Sequence, residues 1–191
     1  MNSEYQSRIL LLSSEPRVAV RHNSAQHSTV IYGSPTFPGG TLTDPEMIDS
    51  LARVPIDLVP QLDGEFVVII ETVDFIHVAS DRFASHPVFY SINDGKLVIS
   101  FEYQSMWNWL SRENKLVPCS AAFYEFFHFQ RLFHETTLDM KSKFLPPATL
   151  LTINKSTGKT ESKRYWLPSF EKQSEDREEI AYALAQAVKS S

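Results

Sequence analysis

Leu62–Met106 reads LDGEFVVIIETVDFIHVASDRFASHPVFYSINDGKLVISFEYQSM, and this stretch carries the strongest fold signal in the chain. Its opening, GEFVVIIETV, is continuously apolar at the centre, as a strand covered on both faces should be. DFIHVAS and HPVFYSI follow as further strands. Asn93-Asp94-Gly95 is a tight turn, because Asp-Gly suits the two-residue hairpin connections that need positive φ, and KLVISFEY returns from it. Four strands on short connections predict an antiparallel meander.

Working outward, Ile9–Leu12 and Val18–Val20 flank SSEPR and predict two strands around a turn. Ser28–Tyr32 is β-branched and aromatic, a strand, with GSPTFPGG after it as a loop. Thr43-Asp44-Pro45-Glu46 has the form of a capping box ahead of a short helix whose apolar face is Met47, Ile48 and Leu51. Downstream, Pro118 and Ser120 open a helix with body AAFYEFFHFQ. Its Phe123, Phe126 and Phe127 recur at three- and four-residue spacing, which predicts packing beneath a sheet. Leu150–Ile153 and Glu161–Trp166 are strands joined by the turn STGK. Ile180, Leu184, Ala187 and Val188 give a helical period that runs to the end without a glycine or proline to stop it, so a longer natural product is expected. Strands apolar on both faces with helices outside them imply stacked sheets.

Composition narrows the function. The 191 residues are 42% hydrophobic with a net charge of −5, and no basic stripe appears, which argues against nucleic-acid binding. Cys119 is the sole cysteine, so no intramolecular disulfide forms. No apolar run is long enough to span a bilayer, and the N-terminus is too weakly apolar for a signal peptide; a cytoplasmic protein without membrane contact is expected. His22 and His27 are five apart and His128 and His134 six apart, whereas two ligands on one helix need a spacing of four, so no metal site is expected. The STGK turn lacks the leading glycine of a P-loop.

Several segments resemble the class II glutamine amidotransferase domain of asparagine synthetases. LDGEFVVII is similar to that family's Leu-x-Gly-x-Phe-Ala-Phe strand. SDRFASHPVFY is similar to its Arg-Asp-x-x-Gly-x-x-Pro-Leu-Tyr-Tyr motif, with Asp81, Pro87 and Tyr90 matching, and Ser100-Phe101-Glu102 stands where the family has Ala-Ser-Glu. FLPPATLLTIN and KRYW resemble the closing segments, in which Pro-Gly leads a strand and Tyr-Trp ends the domain, and TDPEMI resembles the Ser-Asp-x-Glu-Val helix start. The resemblance spans about residues 28–191. It implies an α+β fold, a four-layer αββα sandwich of two stacked antiparallel sheets of the N-terminal-nucleophile (Ntn) hydrolase type. Residues 1–170 would form the domain, and 171–191 a linker and the start of a helix leading toward a synthetase domain.

Active members place a cysteine after the initiator methionine, and its α-amino group helps activate its own thiol. Residue 2 here is Asn2, which has no nucleophilic atom, and Cys119 is interior and cannot supply that amine. Ser3 would serve only after processing, and Arg17 and Arg21 do not sit in the carboxylate-binding motif. The family's oxyanion asparagine is absent from Tyr32-Gly33-Ser34, its arginine is Ser80, and its glycine is Ala84. No catalytic residue is therefore assigned. Gly33 and Asp44 are the vestigial substrate-binding positions, Asp44 matching the aspartate that holds the substrate amine. The resemblance extends to relatives without the cysteine, such as β-lactam synthetases and lasso-peptide cyclases. It implies a glutaminase-inactive domain that supports an ATP-dependent amide-forming synthetase in cis or in trans. No cofactor is expected in this chain, with ATP and magnesium belonging to that partner. A stand-alone docking module, a residual glutaminase using a non-cysteine nucleophile, and assembly into a homo-oligomer are the alternatives.

Overall fold

The computed structural model describes residues 9–12, 18–37, 45–93, 96–169 and 177–190. Among these residues ten strands form two sheets. The larger has six: β2 (Val18–Asn23), β3 (His27–Thr36), β4 (Asp63–Thr72), β5 (Phe75–Ser80), β9 (Thr149–Asn154) and β10 (Thr160–Arg164), in the order β10-β9-β5-β4-β3-β2. The smaller has four: β1 (Ile9–Leu11), β6 (Phe89–Asn93), β7 (Lys96–Ser100) and β8 (Lys143–Phe144), in the order β1-β7-β6-β8.

The continuous apolar run of β4 has the expected cause. Phe66 to Ile70 are all buried, since alternate side chains enter cores on opposite faces of the sheet. Val67 and Ile69 point into the space between the sheets, with Ile76, Val78, Leu151 and Ile153 from their own sheet and Tyr90, Leu97 and Ile99 from the other. Phe66, Val68 and Ile70 face outward onto Ile48, Leu51 and Ala52 of α1 (Pro45–Arg53) and onto Val59 and Leu62 beyond α2 (Pro55–Leu58). On the far side, Met106 and Leu110 of α3 (Tyr103–Arg112) cover Val98 of β7. Helix, sheet, sheet and helix are thus stacked in the expected αββα order. Each fully buried large aliphatic side chain contributes about 1.5–3 kcal/mol.

The structure redraws several local expectations. The four strands of the opening stretch are not one meander: β4 and β5 pair in the larger sheet, β6 and β7 in the smaller. The segment between them carries the chain across the sandwich, with Ala84 at φ 52°. β1 and β2 likewise lie in different sheets, and the SSEPR turn lies outside the described residues. β1 pairs with β7 in parallel, so the smaller sheet is mixed at that edge while every other pairing is antiparallel. β3 continues through Gly33-Ser34-Pro35-Thr36, expected as loop, because these residues pair in unbroken register with Phe66 to Asp63. Asn93 stands opposite Lys96, as a two-residue hairpin requires, with Asp94 and Gly95 outside the described residues.

The aromatic helix α4 (Ser120–Phe129) is the clearest departure. It was expected beneath a sheet, yet Ala122 alone is fully buried, and Tyr124, Phe127 and Phe129 are 69%, 75% and 62% exposed. Its aromatic residues occupy more than one face, so no docking orientation could cover them all. Phe126 borders an apolar cleft of about 400 Å³ with Phe89, Tyr103, Leu132 and Phe144. In α5 (Arg177–Ser190), Ile180, Tyr182, Leu184 and Val188 are exposed. Among the described residues, no helix is long and apolar enough to cross a membrane.

Candidate functional site

Gly33 lies on β3 with φ 94°. A β-carbon there would fall 2.2 Å from the Glu65 carbonyl oxygen and 3.0 Å from His86 Nε2. Gly64, at φ 86°, meets β3 in the same way, its β-carbon position lying 2.6 Å from the Ser34 carbonyl oxygen. The two strands approach here as only glycine allows, so Gly33 has a structural reason to be glycine whatever it binds. His86 Nε2 is shielded from solvent and has no hydrogen-bond partner among the described residues, and the same holds for Arg82 Nε on the same segment. Such groups are costly unless a water or ligand meets them.

The motif segments converge beside this point. Asp81 is 1% exposed and works as an acceptor hub. Its carboxylate accepts the amides of Phe83 at 2.8 Å, Ser85 at 3.1 Å and Phe66 at 3.2 Å. Its backbone carbonyl accepts the Ala148 amide at 2.8 Å. Ser80 Oγ donates to the Pro146 carbonyl at 2.6 Å, and Tyr165 donates its hydroxyl to the Ser80 carbonyl at 2.6 Å. Burial, with the Asp81 charge adding to it, raises the Tyr165 hydroxyl above its ordinary range. Arg82 pairs not with Asp81 but with Asp63, at 3.1 Å, and its guanidinium lies 5.9 Å from the Trp166 ring. Three stretches far apart in sequence, SDRFASHP, LPPA and KRYW, thus form one knot that turns the chain from β5 toward the smaller sheet. These bonds describe a structural role for Asp81 and Arg82.

Asp44, Asn2, Ser3 and Arg17 lie outside the described residues, and Arg21 is exposed on β2. Cys119 stands at the N-terminal boundary of α4, half-buried. Its amide donates to the Leu138 carbonyl at 2.9 Å, and it borders a cleft of about 790 Å³ with Thr137, Asp139 and Ser142. Asp139 is itself saturated, accepting from Tyr103 Oη at 2.9 Å and from the amides of Lys141 and Ser142 at 2.7 and 2.6 Å. Activating a thiol requires a base within hydrogen-bond reach. No such bond to the Cys119 sulfur occurs among the described residues, and neither Gly33 nor His86 borders this cleft.

One cluster escaped the sequence reading. His22 on β2, His27 on β3 and Asp49 on α1 come together. His22 is cross-strand to Thr29, so His27, two residues before Thr29, shares the same face of the sheet. Val20 and Ile31 lie on that face too and pack against α1, which brings Asp49 over the two imidazoles. Asp49 Oδ1 lies 3.1 Å from His22 Nε2 and 2.9 Å from His27 Nε2. The hydrogen bond from His27 is the main reason the Asp49 carboxyl sits below its ordinary range. Spacing rules for helical ligand pairs miss a set built from a hairpin and a distant helix. The usable signal was the two-residue alternation of Val20 and His22 against His27, Thr29 and Ile31.

No family model matches the sequence, and no curated protein matches it. Among solved structures, the chain is similar to the glutamine phosphoribosylpyrophosphate (PRPP) amidotransferase from B. subtilis complexed with ADP and GMP. That match has 13% identity over 81% of this chain and 32% of the other, with a TM-score of 0.44. A structure described as the allosteric regulatory enzyme of purine biosynthesis matches at 14% identity over 78% of this chain and 31% of the other, also at 0.44. The chain spans about a third of the length of each. At this level the likeness assigns no role to any residue.

Proposed function

We propose that this chain is a glutaminase-silent, amidotransferase-like domain whose role is to support an ATP-dependent amide-forming synthetase of the asparagine synthetase kind. The observation that carries the reading is the knot at Ser80–Asp81. It ties together the sequence segments on which the resemblance rests, and it does so through buried hydrogen bonds. The silent state is supported by chemistry. Asn2 offers no nucleophile, and the Cys119 thiol lacks the terminal amine that this type of catalysis uses. ATP and magnesium would be held by the synthetase, not by this chain. His86 Nε2, unpartnered beside Gly33, is where the vestigial pocket would meet a small polar ligand.

Ammonia release from glutamine tests the silent state. The expected rate equals the uncatalysed one, and turnover that disappears when the α-amino group is blocked would replace this reading with that of a working glutaminase. The supporting role is tested in the natural reading frame and by sedimentation. A downstream Ser-Gly-Gly-x-Asp-Ser motif, or a complex with a separately encoded synthetase at micromolar concentration, is expected, and neither being found overturns it. The exposed aromatic side chains of α4, Tyr124, Phe127 and Phe129, favour the second arrangement, docking in trans, because exposed apolar surface of this kind marks interaction sites.

A further inference from the structure

His22, His27 and Asp49 take no part in the reading above, and they lie on the outer face of the larger sheet beneath α1. Each offers one donor atom, and the three atoms lie within 4.8 Å of one another. We propose that these side chains form a binding site for one divalent transition-metal cation of the zinc type, held by two imidazole nitrogens and one carboxylate oxygen.

The donor set selects the ion class. Imidazole with carboxylate suits zinc and its neighbours, whereas magnesium and calcium call for oxygen ligands throughout. The spacing fits as well. Donors bonded at 2.0–2.1 Å to a tetrahedral ion stand about 3.3 Å apart. The nitrogen-to-oxygen distances here are 3.1 and 2.9 Å and all three donors lie within 4.8 Å of one another, so modest side-chain movements would bring them onto one ion. The two rings are neighbours, with centroids 5.6 Å apart and planes at 41°, and both present Nε2 to Asp49 Oδ1.

Support behind the ligands is present on the side that needs it. His27 is 7% exposed, and its Nδ1 lies 3.1 Å from Oγ1 of Thr29, which is fully buried. Metal-bound histidines are usually oriented by such a bond from the other ring nitrogen. With Asp49 ionised, and so able only to accept, each Nε2 carries its proton in the metal-free protein. Binding moves that proton to Nδ1 of the same ring. On His27 the Thr29 hydroxyl then turns from donor to acceptor. His22 and Asp49 remain 23% and 36% exposed, which leaves a path for the ion and space for water to complete its coordination.

The test uses the full chain stripped with a chelator, then titrated with zinc by calorimetry and with cobalt(II) by visible absorption. One zinc per chain, cobalt bands of a four- or five-coordinate site, and a thermal midpoint raised by zinc but not by magnesium are expected. His22→Ala and Asp49→Asn should each weaken zinc binding by about 100-fold or more, and Thr29→Val by about 10- to 100-fold. The double variant His128→Ala/His134→Ala should bind as the parent does. If His22→Ala does not fold, Asp49→Asn, on a partly exposed helix position, gives the same reading. Absence of stoichiometric binding, full binding by Asp49→Asn, or loss of binding in the His128/His134 variant overturns the proposal. The three residues would then be a hydrogen-bonded clip between hairpin and helix.

Discussion

The α-carbon of Gly33 and the carbonyl oxygen of Glu65 approach so closely across the β3–β4 ladder that a β-carbon on Gly33 would stand 2.2 Å from that oxygen. The oxygen belongs to the backbone of the central strand and cannot swing aside. Gly33→Ala should therefore cost about 3 kcal/mol, from overpacking added to a strained positive φ. Gly158→Ala is the control: its φ is also positive, at 68°, but nothing lies within 4 Å of the added atom. It should cost about 1 kcal/mol. Urea midpoints of the two variants separate the clash from the backbone term, and equal losses would deny the clash.

Ala84 reverses the argument. It holds φ 52° at the position where the resembled family has glycine. The left-handed region costs an alanine about 1 kcal/mol that glycine does not bear. Ala84→Gly should raise stability by up to about 1 kcal/mol, read as a higher midpoint at unchanged slope. A lower midpoint would mean that the methyl group packs usefully.

Asp81→Ala should be among the most damaging single changes in the described fold. It would leave the amides of Phe66, Phe83 and Ser85 without their acceptor, in a site where the side chain is 1% exposed. A loss of about 3 kcal/mol or more is expected, with Asp81→Asn intermediate because one acceptor oxygen survives. Chemical denaturation measures both, and Asn matching Ala would mean that the carboxylate geometry is all that matters.

His77 gives a pH signature. Burial lowers its imidazole below the ordinary value of 6.5, and it lies 3.0 Å from Thr152 Oγ1. Between the lowered folded value and 6.5 the unfolded chain binds the extra proton, so stability rises with pH there. The contribution is complete above 6.5 and is lost as pH falls toward the folded value. Parent and His77→Gln should keep a constant stability difference above pH 7, with the parent losing ground below about 6.5. Parallel curves down to pH 5 would contradict the burial effect.

Phe127→Ser tests the exposed helix. At 75% exposure the side chain has little burial to lose, so the midpoint should move by less than about 0.5 kcal/mol. Binding of a hydrophobic dye should fall in the same variant. A loss of several kcal/mol would restore the packed position that the aromatic spacing suggested.

The contrast between Phe127 and Ile69 shows what the sequence could convey. Ile69 sits in an unbroken apolar run, and only a strand covered on both sides satisfies such a run. Phe127 belongs to a helix richer in aromatic residues than one packed face can absorb, and periodicity does not say which residue is left out. Strand identity was legible wherever apolar pattern and turn chemistry agreed, as from Gly64 to Ser100. Assignment to a sheet was not, since the crossing at Asp81–Val88 depends on Ala148 and Tyr165, far along the chain. α3 went unread although Met106 and Leu110 lie one turn apart, because the returning strand ran into it without a proline or glycine to mark the change. Gly33 stood out through its motif, and the structure gives it a steric reason to be glycine. The His22–His27–Asp49 cluster was not, since it exists only once α1 has settled on the hairpin.

The parallel pairing of β1 with β7 sets a limit on how much of the front end the molecule can spare. Ile9, Leu10 and Leu11 stand opposite Leu97, Val98 and Ile99, and the Leu12 amide adds a bond to the Ile99 carbonyl. A peptidase that stopped before Ile9 would leave every one of these contacts in place. One that went three residues further would strip the cover from an apolar strand and present a bare edge ready to recruit another chain. Any maturation that frees a new α-amino group must therefore stop before Ile9 or trade a new terminus for aggregation.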